Sequence, residues 1–475
     1  MPIDTPSPLA PLDPSAAEPY YRQIYDRFRA AIAAGVLKPG DRIPSARALM
    51  KELGLARGTI ESAYALLTAE GYIQARGQAG TIVTPDLKPQ APRPSAPPHA
   101  DPATATAEPS FRPDTTLPFQ MGLPALDAFP RKIWARLGAR CIRAMQPADM
   151  AHPSVPGLPS LRTEIAAYLN LSRGVSCSPA QVFVTTGYRH SIQLIGQALF
   201  NAGDRVWLEN PGYPPTRELL QHMGIAATPV PVDADGIVVA EGLRLSPRAR
   251  AAIVTPAHQS PLGVSLSLPR RLALLDWATR SKAWIVEDDY DGEFRYVSRP
   301  LPALKSLDRD GRVLYAGTFS KLLFPSLRLA YLVVPEALVE RFEQIGQAFA
   351  GGSPQITQAI VTAFITEGHF ARHIQRMRRL YAERREATVA GLDSVLGKHL
   401  RIDAQPGGMH LILRLQSRRS DRKLASRMLE AGLFAEALTD WTFDRDGPSA
   451  LMLAFTNIDS RRTAEKFAKR ILDLL

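Results

Sequence analysis

Thr318-Phe319-Ser320-Lys321 sets a lysine among hydroxyls, and Arg328 follows seven residues later. A lysine so flanked either binds a phosphate directly or forms an imine beside a phosphate site. Three other clusters carry comparable chemistry. Thr186-Gly187-Tyr188-Arg189 lies between an apolar run and an amphipathic stretch, where free N–H groups at a helix N-terminus cradle an anion. Glu287-Asp288-Asp289-Tyr290-Asp291 follows the apolar run Trp284–Val286; acids gathered in this way hold a metal ion or line a solvated turn. Glu209-Asn210-Pro211-Gly212-Tyr213-Pro214 follows Val206–Leu208 and offers an aromatic ring at the end of that run.

One ligand uses all four clusters. Pyridoxal 5′-phosphate needs an amine for its imine, a carboxylate to keep its pyridine nitrogen protonated and a donor to its phenolate oxygen. It also needs a stacking ring and a phosphate cup. The elements that must position these groups show as strand-like runs at Val182–Thr186, Val206–Leu208, Ala252–Val254, Trp284–Val286, Val313–Ala316 and Ala330–Val334. Amphipathic stretches such as 190–200 and 269–282 separate several of them. That alternation predicts an α/β fold with a mostly parallel sheet, in which ligands sit at the carboxyl ends of strands.

Residues 18–85 follow another pattern. Ile24, Phe28, Ala31 and Ile32 share one helical face that Gly35 ends, and Ser45 can N-cap a short helix bearing Leu49, Met50 and Leu53. Gly54 breaks that helix, and a third starts near Arg57-Gly58-Thr59 and buries Ile60, Ala63, Tyr64 and Leu67. Two short strands, Gly71–Ala75 and Gly80–Val83, are joined by Arg76–Ala79. Two helices about a glycine turn followed by a β-ribbon make a winged helix-turn-helix, whose recognition helix enters the DNA major groove N-terminus first. Arg57 and Thr59 stand at that end, and Arg47 and Arg76 are placed for phosphates or the minor groove.

Between Pro85 and Pro118 there are ten prolines in 34 residues and a single aromatic, Phe111. Such a stretch predicts a semi-rigid linker over 86–118, with a free tail at 1–17 and a large domain over 119–475. At about 3.1 Å per residue the linker is long enough to cross onto a second subunit. The chain carries Lys+Arg 57 against Asp+Glu 46, a formal net charge of +11, which favours polyanionic partners. Its two cysteines, Cys141 and Cys177, have neither disulfide-framework nor metal-ligand spacing. No apolar run approaches a membrane span and the first residues lack the pattern of a secretion signal, so a cytoplasmic location without membrane attachment is expected.

Residues 18–85 resemble the GntR-type winged-helix domain throughout, with G-x-L-x-P-G-D-x-[IL]-P-S-x-R-x-L at Gly35–Leu49 and A-Y-x-x-L-x-x-E-G-Y at Ala63–Tyr72. Residues 119–475 resemble the aminotransferase-like domain of the MocR/GabR regulators, through P-A-H-Q-S-P-L-G at Pro256–Gly263, V-E-D-D-Y-D-G-E-F-R-Y at Val286–Tyr296 and G-T-F-S-K-L-L-F-P-S-L-R-L-A-Y at Gly317–Tyr331. The resemblance implies a multidomain chain: an α+β head on an α/β fold-type I transferase-like domain with large and small subdomains. It implies that Lys321 bonds pyridoxal phosphate and that Asp288 pairs with the pyridinium nitrogen. Tyr290 would donate to the ring hydroxyl, Tyr213 would stack, and His258 and Gln259 would line the ring edge. Thr318, Ser320, Arg328 and the N–H groups near Gly187 and Tyr188 would hold the phosphate.

Three departures stand out. Ser260 replaces the family's Phe or the Asn of aminotransferases, Tyr188-Arg189-His190 replaces a smaller phosphate loop, and residues 450–455 hold no arginine to clamp an α-carboxylate. Arg217 and Arg445 are the alternative anchors. The function expected is a pyridoxal phosphate-dependent, homodimeric, head-to-tail regulator that binds double-stranded operator DNA. It would sense the cofactor itself, and so vitamin B6 supply, or an amine or amino-acid effector. The alternative is a working aminotransferase with an accessory DNA-binding head.

Overall fold

Apolar residues at helical spacing build the smaller of two units, Met1–Arg112. The computed structural model describes residues 12–16, 18–77, 80–85, 116–296, 302–349, 352–415, 420–444 and 448–475. Helices α1 (Tyr20–Ala33), α2 (Ala46–Leu53) and α3 (Arg57–Ala69) pack against a ribbon of β1 (Ile73–Ala75) and β2 (Thr81–Val83). Their core joins Ile24, Tyr25, Phe28, Leu49, Ile60, Leu67 and Val83. The Ser45 hydroxyl accepts from Ala48 N at 3.2 Å, and Gly54 closes α2 in the left-handed region at φ 65°. Tyr64 ties α3 to the start of α2 by donating to Pro44 O at 2.7 Å.

Two boundaries differ from expectation. Leu12 packs on the head core, and Asp13 exchanges backbone bonds of 3.0 and 3.1 Å with the Gln23 side chain, so the end of the stretch expected to be free is held. An amide side chain supplies donor and acceptor at once, which is what a strand of loose backbone needs. The linker expected at 86–118 lies outside the described residues up to 115, and its last residues belong to the second unit, where Phe434 N donates to Pro118 O at 3.0 Å.

The second unit, Pro113–Leu475, opens with α4 (Arg131–Ala144) and α5 (Pro159–Arg173). Strands and helices then alternate: β3 (Val182–Thr185), α6 (Tyr188–Leu199), β4 (Arg205–Asn210), α7 (Pro214–His222), β5 (Ala226–Asp233), β6 (Gly236–Ile237), α8 (Val239–Leu245), β7 (Ala251–Val254), α9 (Leu268–Ser281) and β8 (Trp284–Asp289). Next come β9 (Val313–Thr318) and β10 (Ala330–Val333), then α10 (Val339–Phe349), α11 (Gln355–Thr366) and the long α12 (His369–Leu396). Among the described residues these strands form an eight-stranded sheet of order β3-β10-β9-β8-β7-β4-β5-β6. The run β5-β4-β7-β8-β9 is parallel, and β10 lies antiparallel between β9 and β3. Strands β7 and β9, inside the sheet, are buried along their whole length, as expected of strands covered on both faces. Trp207 and Trp277 stack at 3.9 Å between ring centroids, and Gly242 lets α8 approach because a Cβ there would meet the Trp207 ring at 2.8 Å.

The smaller sheet combines β11 (Leu400–Asp403), β12 (His410–Leu415), α13 (Asp421–Glu430), β13 (Glu436–Ala437), β14 (Ala450–Ala454) and α14 (Arg461–Asp473). Its strand order is β11-β12-β14-β13, all antiparallel. Leu411, Leu413, Leu451 and Leu453 join the core shared with α12 and α14.

Candidate functional site

Sheet register brings one end of the four clusters together. Ala330, the first residue of β10, pairs with both Thr185 and Thr318. The turn that carries Arg328 is therefore clamped between the carboxyl ends of β3 and β9. Arg328 sits at φ 51°, a left-handed backbone that costs a non-glycine residue about 1 kcal/mol or more. Its guanidinium lies against Gly187, where an ideal Cβ would be 3.3 Å from Nη2. Gly187 itself has φ 138° and caps α6, so the first N–H groups of that helix face the same space. Ser320 N donates to Thr318 Oγ1 at 3.1 Å. Thr318, Ser320, Arg328, Gly187 and Tyr188 all line one cavity of about 410 Å³.

The same cavity is lined by Asp288, Tyr290, Lys321 and Tyr213. Asp288, next to last in β8, lies beside Ala316 of β9 and is 9% exposed. Burial, then the charges of Asp289, Asp291 and Glu209, push its carboxyl well above the usual range; only Lys321 opposes them. Such a carboxylate calls for a cation inside the cavity, as a protonated pyridine nitrogen would be. Burial holds the Lys321 amine below its ordinary value, toward the neutral form that attacks a carbonyl. Its Nζ donates to Gly122 O at 2.8 Å. Tyr213 is 41% exposed, edge-on to Tyr188 at 5.9 Å and tilted against Trp441 at 5.5 Å.

Two expected ring-edge residues stand behind the cavity wall. His258 Nδ1 lies 3.0 Å from Tyr290 Oη and 3.2 Å from an Asp291 oxygen, so it orients the tyrosine from outside. Gln259 is buried, and its Nε2 donates to Pro211 O and Ser260 O, both at 2.9 Å. The backbone turn at Ser260-Pro261 presents Ser260 to the cavity instead. Gly408 fixes the His258 ring, since a Cβ there would fall 2.0 Å from Cε1.

Of the other acids, Asp291 lines the cavity with His258 Nδ1 3.2 Å away and accepts no hydrogen bond among the described residues, whereas Glu287, Asp289 and Glu209 are held by protein groups. Glu287 accepts from Leu304 N and Lys305 N at 2.7 and 2.8 Å. Asp289 pairs with buried Arg173 and accepts from Tyr315 Oη at 2.6 Å. Glu209 accepts from Thr255 Oγ1 at 2.6 Å, and burial lifts its carboxyl to about 7. Sequence reasoning missed the far wall: Met121, Gly122, Met409, His410, Glu436 and Trp441. The pair Gly407-Gly408 before His410 is the one local signal that marks a close approach there.

Arg217, one of the two alternative anchors, does not line the cavity. Arg217 donates to Thr442 O at 3.2 Å and lies over the Phe443 ring at 5.0 Å, lining an adjoining cleft of about 30 Å³. Arg445 is outside the described residues. Strand β14, where a carboxylate-binding arginine was expected, is buried along its length.

In the head, Arg57 is the first residue of α3 and its Nε lies 2.7 Å from Glu61 Oε1, both exposed. Thr59 is half-buried one turn in, and exposed Arg47 and Arg76 have no acidic partner among the described residues.

These two units match known families. Residues 126–466 match the family model for aminotransferase class I and II, and residues 20–83 match that for bacterial regulatory proteins of the gntR family. The chain is 38% identical over 96% of its length, and 93% of the relative's, to the probable rhizopine catabolism regulatory protein MocR of Rhizobium meliloti. The chain belongs to the MocR-type transcription regulators. Another relative, the pyridoxine biosynthesis transcriptional regulator PdxR of Corynebacterium glutamicum, is 33% identical over 87% of this chain and 86% of its own. A solved structure of the α-aminoadipate aminotransferase LysN from Thermus thermophilus, complexed with N-(5′-phosphopyridoxyl)-L-leucine, has a TM-score of 0.68 and 29% identity; 76% of this chain and 92% of that one are covered. A MocR-type regulator pairs a DNA-binding head with a pyridoxal phosphate-binding domain, and the cup at Gly187 and the buried Asp288 carboxyl facing the cavity fit that cofactor. No helix among the described residues is long and apolar enough to cross a membrane.

Proposed function

We propose that this regulator works in the cytoplasm as a homodimer whose affinity for operator DNA depends on what fills the Lys321 cavity. The observation that carries the reading is the convergence of Lys321, Asp288, Tyr290 and the Gly187–Arg328 cup on one cavity in a chain that also carries a winged-helix head. Bound pyridoxal phosphate supplies a carbonyl that bonds amines and a ring that withdraws electrons. Lys321 would hold its aldehyde carbon, Asp288 would keep a proton on the ring nitrogen, and Tyr290, positioned by His258, would donate to the ring oxygen. The α6 N-terminus, Thr318, Ser320 and Arg328 would hold the phosphate. Tyr213 and Trp441 would shield the ring from water.

The dimer reading is supported by the proline-rich stretch, long enough to carry a head onto a partner subunit, and by the half-site geometry that dimeric winged-helix proteins impose on DNA. Light scattering at micromolar concentration should give twice the 52.0 kDa chain mass; a monomer with full cofactor content would overturn it.

A second reading has pyridoxal phosphate itself as the signal, so that the regulator governs vitamin B6 supply. The PdxR relative favours it. One experiment tests both. Cofactor-free protein is footprinted on its own upstream region with and without pyridoxal phosphate, then with an added amine. A footprint that ignores the contents of the cavity would overturn the whole proposal. A footprint changed by the cofactor alone selects the B6 reading.

A further inference from the structure

The far wall of the cavity has the wrong charge for an amino acid. Glu436 of β13 pairs in register with Met452 of β14, so their side chains lie next to one another on one face of the small sheet. This is the strand on which an acid-binding arginine was expected, and Met452 instead joins an apolar cluster with Ile412, Leu438 and Trp441. Trp441 Nε1 donates to Glu436 Oε2 at 3.1 Å and fixes the carboxylate at the cavity wall. Glu436 is close enough to Lys321 for each charge to act on the other.

Burial raises the Glu436 carboxyl and Lys321 draws it back toward the charged form, but no arginine stands beside it to receive an incoming acid. His410 spends a ring N–H on Pro261 O at 2.8 Å, and burial holds it neutral, near 4. Among the described residues, the arginines lining the cavity are Arg189 and Arg328, both at the Gly187 end where the cofactor phosphate would sit. A carboxylate placed beside Glu436 would meet a like-signed group in a partly desolvated site, an arrangement that selects against acids. A cationic or hydroxyl donor would meet a waiting acceptor.

We propose that the ligand read beside Lys321 is a primary amine without an acid group, offering Glu436 a second hydrogen-bond donor, an ammonium or a hydroxyl. This rests on pyridoxal phosphate occupying the cavity as proposed above.

The test uses full-length protein loaded with pyridoxal phosphate, and two pairs of probes matched in length: putrescine against γ-aminobutyrate, and ethanolamine against glycine. The visible spectrum of the bound cofactor and the affinity for operator DNA are followed together. The amine of each pair should act at concentrations about tenfold or more below its acid partner. Glu436→Gln should abolish most of that preference, with the spectrum of the loaded variant serving as its folding check. Putrescine acting best points to an ammonium at Glu436, and ethanolamine to a hydroxyl. Acids acting as well as amines, or a preference unchanged in Glu436→Gln, would overturn the proposal. Loaded protein with no visible band overturns the cofactor reading and this one with it, and is distinguishable from a failure at Glu436 alone.

Discussion

The guanidinium of Arg328 occupies the room that a side chain on Gly187 would need, 3.3 Å from the position of its missing Cβ. The two residues are 141 positions apart and meet because Ala330 bridges β3 and β9. Gly187→Ala should therefore weaken cofactor binding about tenfold or more, both by crowding Arg328 and by straining a backbone at φ 138°. Equilibrium dialysis against pyridoxal phosphate checks it. Arg328→Gly should weaken binding while stabilising the cofactor-free protein by about 1 kcal/mol, because glycine accepts φ 51° freely. Arg328→Ala should weaken binding without that gain.

Lys321 and Gly122 make a second matched pair. A Cβ at Gly122 would lie 2.7 Å from the lysine nitrogen, and the residue has φ 79°. Lys321→Ala should remove the yellow colour of a lysine-bound pyridoxal from purified protein. Gly122→Ala should leave the colour weaker and slower to form, by displacing the amine. A spectrum unchanged in Lys321→Ala would sink the assignment.

The two kinds of contact in the head should separate by sequence dependence. Arg57 heads the recognition helix, so Arg57→Ala should cost about 1–3 kcal/mol on the preferred operator and relax its specificity. Arg76→Ala and Arg47→Ala should weaken all DNA alike and lower the salt slope by about one each. Glu61 engages the Arg57 guanidinium, so Glu61→Gln should raise the affinity for unrelated DNA. Filter binding across salt concentrations reads all four variants.

His373 of α12 makes a pH prediction. Its Nε2 lies 3.0 Å from Leu322 O, its ring packs among Phe129 and Phe364, and burial lowers its pKa from 6.5 to about 4. A depressed folded value means that the unfolded chain takes up the proton first. The contribution is whole above pH 6.5 and is lost as pH falls toward 4. The stability advantage of the native chain over His373→Gln should shrink by about 2 kcal/mol between pH 7.5 and pH 5. Urea unfolding at both values measures it, and a constant gap would contradict the burial argument.

Much of the site was readable along the chain because its signals are local. An apolar run ending in glycine, acid or lysine marks a strand end, which singled out the clusters around Gly187, Asp288 and Lys321, while the roles of Lys321, Asp288, Tyr290 and Arg328 followed from the family resemblance. Ser45, Gly54 and the spacing of Ile60, Ala63 and Leu67 declared the head in the same way. His258 and Gln259 lie behind the cavity wall because a residue at a strand end points toward the cavity or behind it according to turns packed from elsewhere, here Gly408 beside His258. Gly122, His410, Glu436 and Trp441 come from stretches without a local pattern of chemistry. Only pairings such as Glu436 with Met452, and His410 with Ala454, carry them to Lys321. Periodicity says that a strand has two faces; which face meets the cavity depends on the partner strand, and that choice exists only in the folded chain.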